Sequence, residues 1–263
     1  MKTWAVVNQK GGVGKTTTAV NLAGLLAREG KETLLVDLDP HGSLTSYLGY
    51  DPDEMEYSAY TLFETAGKSR LGITAVIRET KVKHLAFMPS STAMATLDRQ
   101  LGTQKGMGLV LTQALQILAS KYEHVVIDCP PMLGVLMVNA LAASDHLLLP
   151  VQTEFLALKG LERMLHTLDM IQKSLNKQLP YTVVPTMYDQ RTRASHDSLA
   201  YLQETYATRL SHAIIPIDTQ FRDASRMGLP LTLLQPNARG SKAYEQLLDQ
   251  LLGREPVPVQ EIA

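Results

Sequence analysis

Residues 10–17 read KGGVGKTT, and they lie between a short apolar run and an amphipathic run that begins at Thr16. Three glycines, Gly11, Gly12 and Gly14, let backbone N–H groups converge on phosphate oxygens that any Cβ would obstruct. The start of the following helix adds a favourable dipole for an anion. A purely structural glycine-rich turn is the competing interpretation, and the strand, helix, lysine and threonine in register argue against it. The segment therefore predicts a loop that binds phosphate.

The polar side chains of this loop predict how a nucleotide is held. We expect Lys15 to meet the β- and γ-phosphates and Thr16 to offer its hydroxyl to Mg²⁺, which prefers oxygen ligands. The predicted nucleotide-binding residues of the loop are contiguous: Lys10, Gly11, Gly12, Val13, Gly14, Lys15, Thr16 and Thr17.

Short apolar runs rich in Val, Ile and Leu alternate with longer amphipathic stretches along the chain, which is typical of a parallel sheet with helices on its faces. Seven runs predict strands: Thr3–Asn8, Thr33–Asp37, His84–Pro89, His124–Asp128, His146–Val151, Tyr181–Thr186 and His212–Pro216. The clearest helices are predicted at Thr16–Arg28, Gly108–Ser120, Ala157–Leu175, Ser195–Thr208 and Ser241–Leu252. Because the strands are continuous apolar runs, both faces of the sheet should be covered. The sequence predicts a doubly wound α/β fold with a mostly parallel sheet and helices on both faces.

The domain organisation is predicted to be simple, with one domain over residues 1–253 and a tail at 254–263. Residues 49–83 are the least regular part, and we interpret them as an excursion from the domain.

The chain has 25 Lys+Arg against 26 Asp+Glu, and this balance argues against a surface built wholly for nucleic acid. The longest weakly polar stretch, 133–143, is too short for a membrane span, which needs about 20 apolar residues.

A single cysteine, Cys129, excludes an intramolecular disulfide and the clustered thiolates of a zinc or iron–sulfur site. This use of cysteine favours the reducing cytoplasm. Without a second thiol or a His-rich motif, Cys129 is interpreted as a small buried apolar residue.

Acidic side chains end two of the predicted strands. Asp37 and Asp39 alternate at the end of the second strand, where Pro40 forces a turn, and acids near a bound phosphate need Mg²⁺ or water to engage. An N-cap role ahead of residues 43–48 is the alternative for either acid. Asp128 ends the apolar run VVID, which should lie beside the strand that precedes the phosphate loop. This is the Walker B pattern, and the metal-binding residues predicted from these patterns are Thr16 and Asp128.

KGGVGKTT resembles the deviant Walker A motif, KGGxGK[ST], of the ParA/MinD group of P-loop ATPases, and the resemblance extends from Lys2 to about Leu252. It implies a Mg²⁺-dependent ATPase that dimerises face to face on ATP and becomes monomeric again after slow hydrolysis. Lys10 is implied to reach across the dimer to the partner's phosphates, although a solvated surface lysine is the alternative. The residues implied at the dimer interface are Lys10, Gly11 and Glu154.

The segment VDLDPHGSLTSYLG resembles the DxDPQGN element of this family, with His41 for Gln and Ser43 for Asn. The resemblance implies that Asp39 orients the attacking water and that Asp37 helps to hold the hydration shell of Mg²⁺. The implied catalytic residues are Lys10, Lys15 and Asp39. By the same resemblance, the adenine lies over the segments TMYD and IPID, at Met187, Pro216 and Asp218, although packing or turn geometry equally explains Met187 and Pro216.

The cargo of such an ATPase is a separate question. DNA-partitioning relatives bind nucleoid DNA through C-terminal basic residues, and the candidate DNA contacts in this chain are Arg191, Arg193, Arg222 and Arg226. Residues 187–230 hold five arginines against five acidic residues and no lysine, and IPID replaces the more basic IPRN. Chromosome or plasmid partition with DNA as the track is therefore the alternative function.

Three C-terminal segments, TMYDQRTRAS, PIDTQFRDAS and NARGSKAYEQLL, resemble the ParC-type ParA-like ATPases that are encoded with chemotaxis genes. This resemblance implies positioning of polar chemotaxis arrays, a location at the cell pole, and a polar landmark protein and an array coupling protein as partners. DQRTRAS is also explained by a helix start with solvated arginines.

The tail REPVPVQEIA lacks the basic amphipathic helix of the MinD branch, so we expect no direct membrane binding. A nucleotide-dependent scaffold without hydrolysis is an alternative of another class.

Overall fold

A seven-stranded sheet forms the centre of the protein. The structure, a computed structural model, describes residues 1–65, 70–101 and 106–254. The strands are β1 (Lys2–Val6), β2 (Thr33–Asp37), β3 (Arg78–Glu79), β4 (Leu85–Met88), β5 (His124–Asp128), β6 (His146–Gln152) and β7 (Tyr181–Thr186). Their spatial order is β3-β4-β2-β5-β1-β6-β7, and only β3 is antiparallel to its neighbour. The predicted mostly parallel sheet is confirmed.

Helices connect the strands and cover both faces of the sheet. They are α1 (Lys15–Arg28), α2 (Ser43–Tyr47), α3 (Ala59–Glu64), α4 (Arg70–Ala75), α5 (Leu97–Leu101), α6 (Val110–Leu118), α7 (Val135–Ala143), α8 (Phe155–Leu175), α9 (Arg193–Tyr206), α10 (Gln220–Met227), α11 (Leu231–Leu234) and α12 (Arg239–Leu251). Short 3₁₀ turns occur at Thr92–Thr96 and Met107–Leu109.

Alternate residues of each central strand belong to two separate cores, one on each face. In β1, Ala5 packs into a core that includes residues of α6, α7 and α8, whereas Trp4 and Val6 pack against α1 and α12. All three strand residues are buried, which explains why the strands appear in the sequence as continuous apolar runs. The doubly wound architecture therefore follows from two-sided burial.

The predicted strand at His212–Pro216 is wrong. The segment runs beside β7 but makes only isolated bridges, which pair Val183 with Leu210 and Tyr188 with Pro216. The backbone N–H of His212 donates to Gln250 Oε1 at 2.9 Å, and that of Ala213 to Ser211 Oγ at 3.0 Å. Side chains thus take the donors that a continuous ladder requires.

The other predicted elements are present, with ends that shift by a few residues. The apolar stretch at 133–143 forms α7, whose Asn139 is fully buried and bonds to three backbone groups, the N–H of Leu111 and the carbonyls of Met107 and Val135. These bonds satisfy a polar side chain inside the core. In the part of the chain that the structure describes, no helix is long and apolar enough to cross a membrane.

The irregular stretch at 49–83, interpreted from the sequence as an excursion, contains α3, α4 and β3, and its residues Ala59, Leu62 and Ile73 belong to the main core. Ser58 caps α3 and donates to Ser91 Oγ at 3.1 Å, so the excursion is attached to the loop after β4. The tail at 254–263, on which the expectation about membranes depends, lies outside the described residues apart from Arg254.

Candidate nucleotide-binding site

The loop between β1 and α1 has the geometry of an anion cradle. Gly12 and Gly14 have φ of 74° and 92°, in the left-handed region that favours glycine. A Cβ built on Gly11 or Gly12 meets no atom within 4 Å, so the space above the loop is open. Gly14 caps α1, a helix of 14 residues whose first N–H groups face this space. A phosphate group fits this cradle.

Two buried side chains outside the loop fix its shape. Asn8 accepts a hydrogen bond from the N–H of Lys10 at 2.9 Å and donates to the carbonyl of Pro150 at 2.8 Å. From β7, Thr186 Oγ1 donates to the carbonyl of Val13 at 2.9 Å. Sequence reasoning missed Asn8 and Thr186, because nothing in a single sequence indicates which distant polar residue supports a loop.

The two lysines of the loop differ in their surroundings. Lys15 is buried, and its Nζ lies 3.4 Å from the carbonyl oxygen of Lys10. The Nζ of Lys10 instead forms an ion pair with Glu154, the residue that precedes α8, and the two side chains remain 32% and 41% exposed. The structure therefore brings Lys10 and Glu154 together within one chain, at the rim of the loop.

Asp128 lies beside the loop, as the sequence predicts. Strand β5 pairs with β1 in parallel and places Asp128 opposite Val6. Thr16 Oγ1 donates to Asp128 Oδ2 at 2.6 Å, whereas Asp128 Oδ1 is buried without a hydrogen-bond partner. An unpartnered buried carboxylate oxygen next to a threonine hydroxyl is an all-oxygen donor set, which suits Mg²⁺ directly or through water.

Asp37 is opposite Asp128 on the neighbouring strand and is also fully buried. Its Oδ1 accepts from the N–H of Asp39 at 3.0 Å, and its Oδ2 accepts from the N–H and Oγ1 of Thr45 at 2.9 and 2.8 Å. Asp37 is not the N-cap of α2, which is Gly42, but its carboxylate accepts the N–H of Thr45 in the first turn of that helix. Protein donors engage both oxygens that the sequence assigns to the hydration shell of Mg²⁺.

The two buried carboxylates favour the protonated state. Burial raises the pKa of Asp128 to about 7, and the hydrogen bond from Thr16 and the charge of Lys15 only partly oppose it. Burial and the charge of Asp128 raise the pKa of Asp37 well above its usual range. Two acids at one site are therefore costly to ionise together unless a cation joins them.

This pair should make the stability of the ligand-free protein depend on pH. Because the folded-state pKa of Asp128 is raised, its contribution is fully present below about pH 4 and is lost as the pH rises through about 7. We expect the free energy of unfolding to fall as the pH rises across this range, because the folded protein keeps a proton on Asp128 that the unfolded chain releases. In Asp128→Asn, the free energy of unfolding should change less with pH, and the remaining pH dependence should come from Asp37. Equal slopes in urea unfolding of both proteins from pH 4 to 8 would contradict this prediction.

Asp39 stands at the opening of the site, with little of its side chain exposed. Its Oδ1 accepts from the backbone N–H of His41 at 3.0 Å and lies 2.8 Å from His41 Nδ1. Among the residues that the structure describes, none bonds to Oδ2. One oxygen is therefore fixed while the other is available to a water molecule.

The predicted adenine residues are only partly brought together. Pro216 and Asp218 line a cleft of about 690 Å³ that begins two residues after Thr186, but Met187 is not among its lining residues and has φ of 53°. Both carboxylate oxygens of Asp218 accept backbone N–H groups, from Gln220 at 3.0 Å and from Gly240 at 3.2 Å. Asp218 thus holds the starts of α10 and α12. The cleft is also lined by Tyr188, which belongs to the predicted segment TMYD, and by Arg239, which sequence reasoning did not assign to the adenine.

The four candidate DNA-contacting arginines differ in their ion pairs. Arg191 forms a two-pronged pair with Asp189 at 2.9 and 2.7 Å, and Arg193 lies 3.5 Å from Asp197. Arg222 and Arg226 are exposed one turn apart on α10. Within the described part of the chain, neither of these two forms an ion pair.

The fold and the loop define a P-loop nucleotide-binding domain. Residues 1–181 match the AAA_31 family, described as an AAA domain. The sporulation initiation inhibitor protein Soj of Bacillus subtilis is 36% identical over 94% of this chain and 96% of its own length. The chromosome partitioning protein ParA of Myxococcus xanthus is 35% identical over 96% of this chain and 90% of its own. The chain therefore belongs to the AAA_31 family, in the ParA/MinD group of P-loop ATPases.

A solved structure agrees with this assignment. The protein described as cobyrinic acid a,c-diamide synthase from Mycobacterium smegmatis superimposes with a TM-score of 0.82 and 33% identity, covering 95% of this chain and 94% of its own. That structure contains ADP and magnesium. The family resemblance inferred from KGGVGKTT is confirmed, whereas its chemotaxis-array branch is not distinguished by these relatives.

Proposed function

We propose that the protein binds ATP with Mg²⁺, dimerises face to face on ATP, hydrolyses the nucleotide slowly and thereby positions a cellular cargo. The observation that carries this proposal is that the two lysines of the loop lie in different surroundings. Lys15 is buried inside its own loop, whereas Lys10 points to the rim, toward Glu154. This arrangement supports Lys10 acting on the phosphates of a second copy.

Each residue of the site has a defined part in this cycle. The glycine-rich loop and Lys15 hold the phosphates, and Thr16 and Asp128 hold Mg²⁺, which neutralises phosphate charge when it is bound. Asp39 accepts a hydrogen bond from water at Oδ2 and orients it. ATP favours the dimer because only the dimer gains the contacts of Lys10, and a ligand shifts an equilibrium only through such differential contacts.

Dimerisation on ATP is tested by light scattering of the wild type and Lys10→Ala with ATP, ADP or no nucleotide, each with Mg²⁺. We expect the wild type to dimerise with ATP alone and Lys10→Ala to bind ATP as a monomer. A wild type that stays monomeric with ATP, or a Lys10→Ala variant that dimerises normally, would show that this scheme is wrong.

The ion pair of Lys10 and Glu154 should oppose dimerisation, because it holds Lys10 within its own chain. A partly exposed pair contributes about 0.2–1 kcal/mol. We therefore expect Glu154→Gln to lower the dimer dissociation constant with ATP by up to about fivefold, measured by analytical ultracentrifugation. Glu162→Gln, which removes an exposed acid of α8, the helix that follows Glu154, serves as the control. A weaker dimer in Glu154→Gln alone would instead assign Glu154 to contacts with the partner.

The cargo that we propose is the polar chemotaxis array, reached through a polar landmark protein and an array coupling protein, with the protein concentrated at the cell pole. The three segments that resemble ParC-type ATPases all contribute to the cleft at Pro216, with Asp189, Thr219 and Asn237 among its lining residues. Their common location supports their acting as one surface.

Chromosome or plasmid partition on nucleoid DNA is the second candidate. It is favoured by relatives named for chromosome partitioning and by the exposed Arg222 and Arg226, which have no carboxylate partner among the described residues. Both arginines lie on one helix and could contact successive phosphates.

DNA binding by the ATP-bound Asp39→Ala dimer, with array proteins assayed alongside, separates the two cargoes. Salt-sensitive binding to any duplex that weakens in Arg222→Ala and Arg226→Ala would favour partition. Capture of a polar or array protein without DNA binding would favour array positioning. Arg254→Ala is a matched control, because Arg254 is engaged by Glu29 and Asp249.

A further inference from the structure

The peptide that carries Asp39 belongs to a closed ring of hydrogen bonds. The N–H of Asp39 donates to Asp37 Oδ1 at 3.0 Å, and Thr45 Oγ1 donates to Asp37 Oδ2 at 2.8 Å. The N–H of Ser90 donates to Thr45 Oγ1 at 2.9 Å, and Ser90 Oγ donates to the carbonyl of Asp39 at 2.7 Å. The ring therefore holds the main chain of Asp39 on both sides, at its N–H and at its carbonyl.

Burial makes each of these hydrogen bonds costly to lose. Asp37, Thr45 and Ser90 are completely inaccessible to solvent, so a polar atom that loses its partner here finds no water to replace it. The three residues come from three parts of the fold: Asp37 ends β2, Thr45 lies in α2, and Ser90 follows β4. The ring thus joins two neighbouring parallel strands and the helix that follows one of them at the edge of the nucleotide site.

The geometry also defines what the ring does for the side chain of Asp39. With the backbone held on both sides and Oδ1 bonded to His41, the side chain of Asp39 has little freedom to rotate, so the direction of Oδ2 is fixed through Oδ1 and the main chain. Catalytic groups lose about 100-fold in rate when they are misplaced by about 1 Å. A buried framework of this kind is therefore matched to a group that must orient one water molecule.

We propose that Thr45 and Ser90 are positioning residues for ATP hydrolysis, which hold the main chain of Asp39 in place, Thr45 through Asp37 and Ser90 directly at the carbonyl of Asp39. This inference rests on the proposed function, because it takes Asp39 as the residue that orients water. Thr45 and Ser90 act through Asp39, and nucleotide binding at the loop does not depend on them.

Two substitutions of Thr45 test the ring with nearly the same side-chain volume. Thr45→Val keeps the shape and removes the hydroxyl, whereas Thr45→Ser keeps the hydroxyl and removes a methyl group. We expect Thr45→Val to lower kcat for phosphate release from ATP with Mg²⁺ by about 10- to 100-fold, with the Kd for ATP within about threefold of wild type. Thr45→Ser should stay within about threefold in both.

The lifetime of the ATP-bound dimer supplies a second readout, which does not require measuring phosphate release. Because Thr45→Val should bind ATP but hydrolyse it slowly, the ATP-bound dimer should persist longer than in the wild type, as light scattering after ATP addition would show. Equal losses in Thr45→Val and Thr45→Ser, or a kcat that is unchanged in Thr45→Val, would overturn the proposal. So would a loss of ATP affinity as large as the loss of kcat.

Ser90→Ala provides an independent test if Thr45→Val does not fold. It removes the hydrogen bond to the carbonyl of Asp39, and Ser91→Ala is its matched control, since Ser91 is a neighbouring buried serine that bonds to Ser58 outside the ring. We expect kcat to fall at least tenfold in Ser90→Ala and to change less than threefold in Ser91→Ala. If neither ring variant folds, the ring serves folding, and the positioning role is wrong.

The wild type and Asp39→Ala separate this inference from the proposed function. If the wild type releases phosphate and Asp39→Ala does not, an unchanged rate in both ring variants overturns only the positioning role. If Asp39→Ala hydrolyses ATP as fast as the wild type, the proposed role of Asp39 fails, and the inference fails with it.

Discussion

Lys15→Ala should lose ATP binding almost completely. Lys15 is the buried lysine of the loop, and the space above Gly11 and Gly12 is open for the phosphates that it would meet. Removing one partner of a buried charge-assisted contact costs about 2–5 kcal/mol and leaves phosphate charge uncompensated. We therefore expect the Kd for ATP to rise at least about 30-fold in isothermal titration calorimetry with Mg²⁺, and dimerisation on ATP to disappear with it.

Lys83→Ala is the control for this experiment. Lys83 is an exposed lysine that precedes β4, whereas the loop follows β1. Because these strands are parallel to one another, Lys83 lies at the opposite ends of the strands from the loop. Its replacement removes the same charge and should leave ATP affinity unchanged. If Lys15→Ala binds ATP within tenfold of the wild type while remaining folded, the loop does not hold the nucleotide as proposed.

The central fold was predictable because two-sided burial leaves a simple pattern. Each of the runs around Val6, Val36 and Ile127 is apolar throughout, since one side chain in two faces each core. The segment at His212–Pro216 has the same composition, yet it forms only isolated bridges because the side chains of Gln250 and Ser211 take its N–H groups. Gln250 is distant in sequence from this segment, so composition alone does not reveal the competition for these N–H groups.

The site was predictable where chemistry is concentrated in a short motif. The loop and Asp128 are where the sequence places them, because a glycine-rich turn and a strand end constrain position locally. The supporting groups were not predictable. Thr45 and Ser90 are ordinary polar residues in the sequence, and only the pairing of β2 with β4 brings them to Asp39. The place of Asp218 at the adenine stays a prediction, and no local pattern indicated that its carboxylate also holds two helix starts.

Asp39→Ala should separate ATP binding from hydrolysis. Asp39 is close to the loop but does not belong to it, and its Oδ2 is free of protein partners among the described residues. A side chain that orients water contributes to the transition state and little to the bound nucleotide, so its loss lowers kcat rather than affinity. We expect phosphate release to slow by about 10²- to 10⁴-fold, with the Kd for ATP within about threefold.

The same substitution should trap the dimer. In the proposed cycle, the contacts of Lys10 with the partner's nucleotide last until the γ-phosphate is cleaved, so a variant that cannot cleave ATP has no route back to the monomer except slow dissociation. Light scattering should show a persistent ATP-bound dimer in Asp39→Ala, while Asp53→Ala, which removes an exposed acid of the excursion, cycles like the wild type. An Asp39→Ala protein that binds ATP but remains monomeric would break the link between the γ-phosphate and dimerisation, because uncleaved ATP would then fail to hold two copies together.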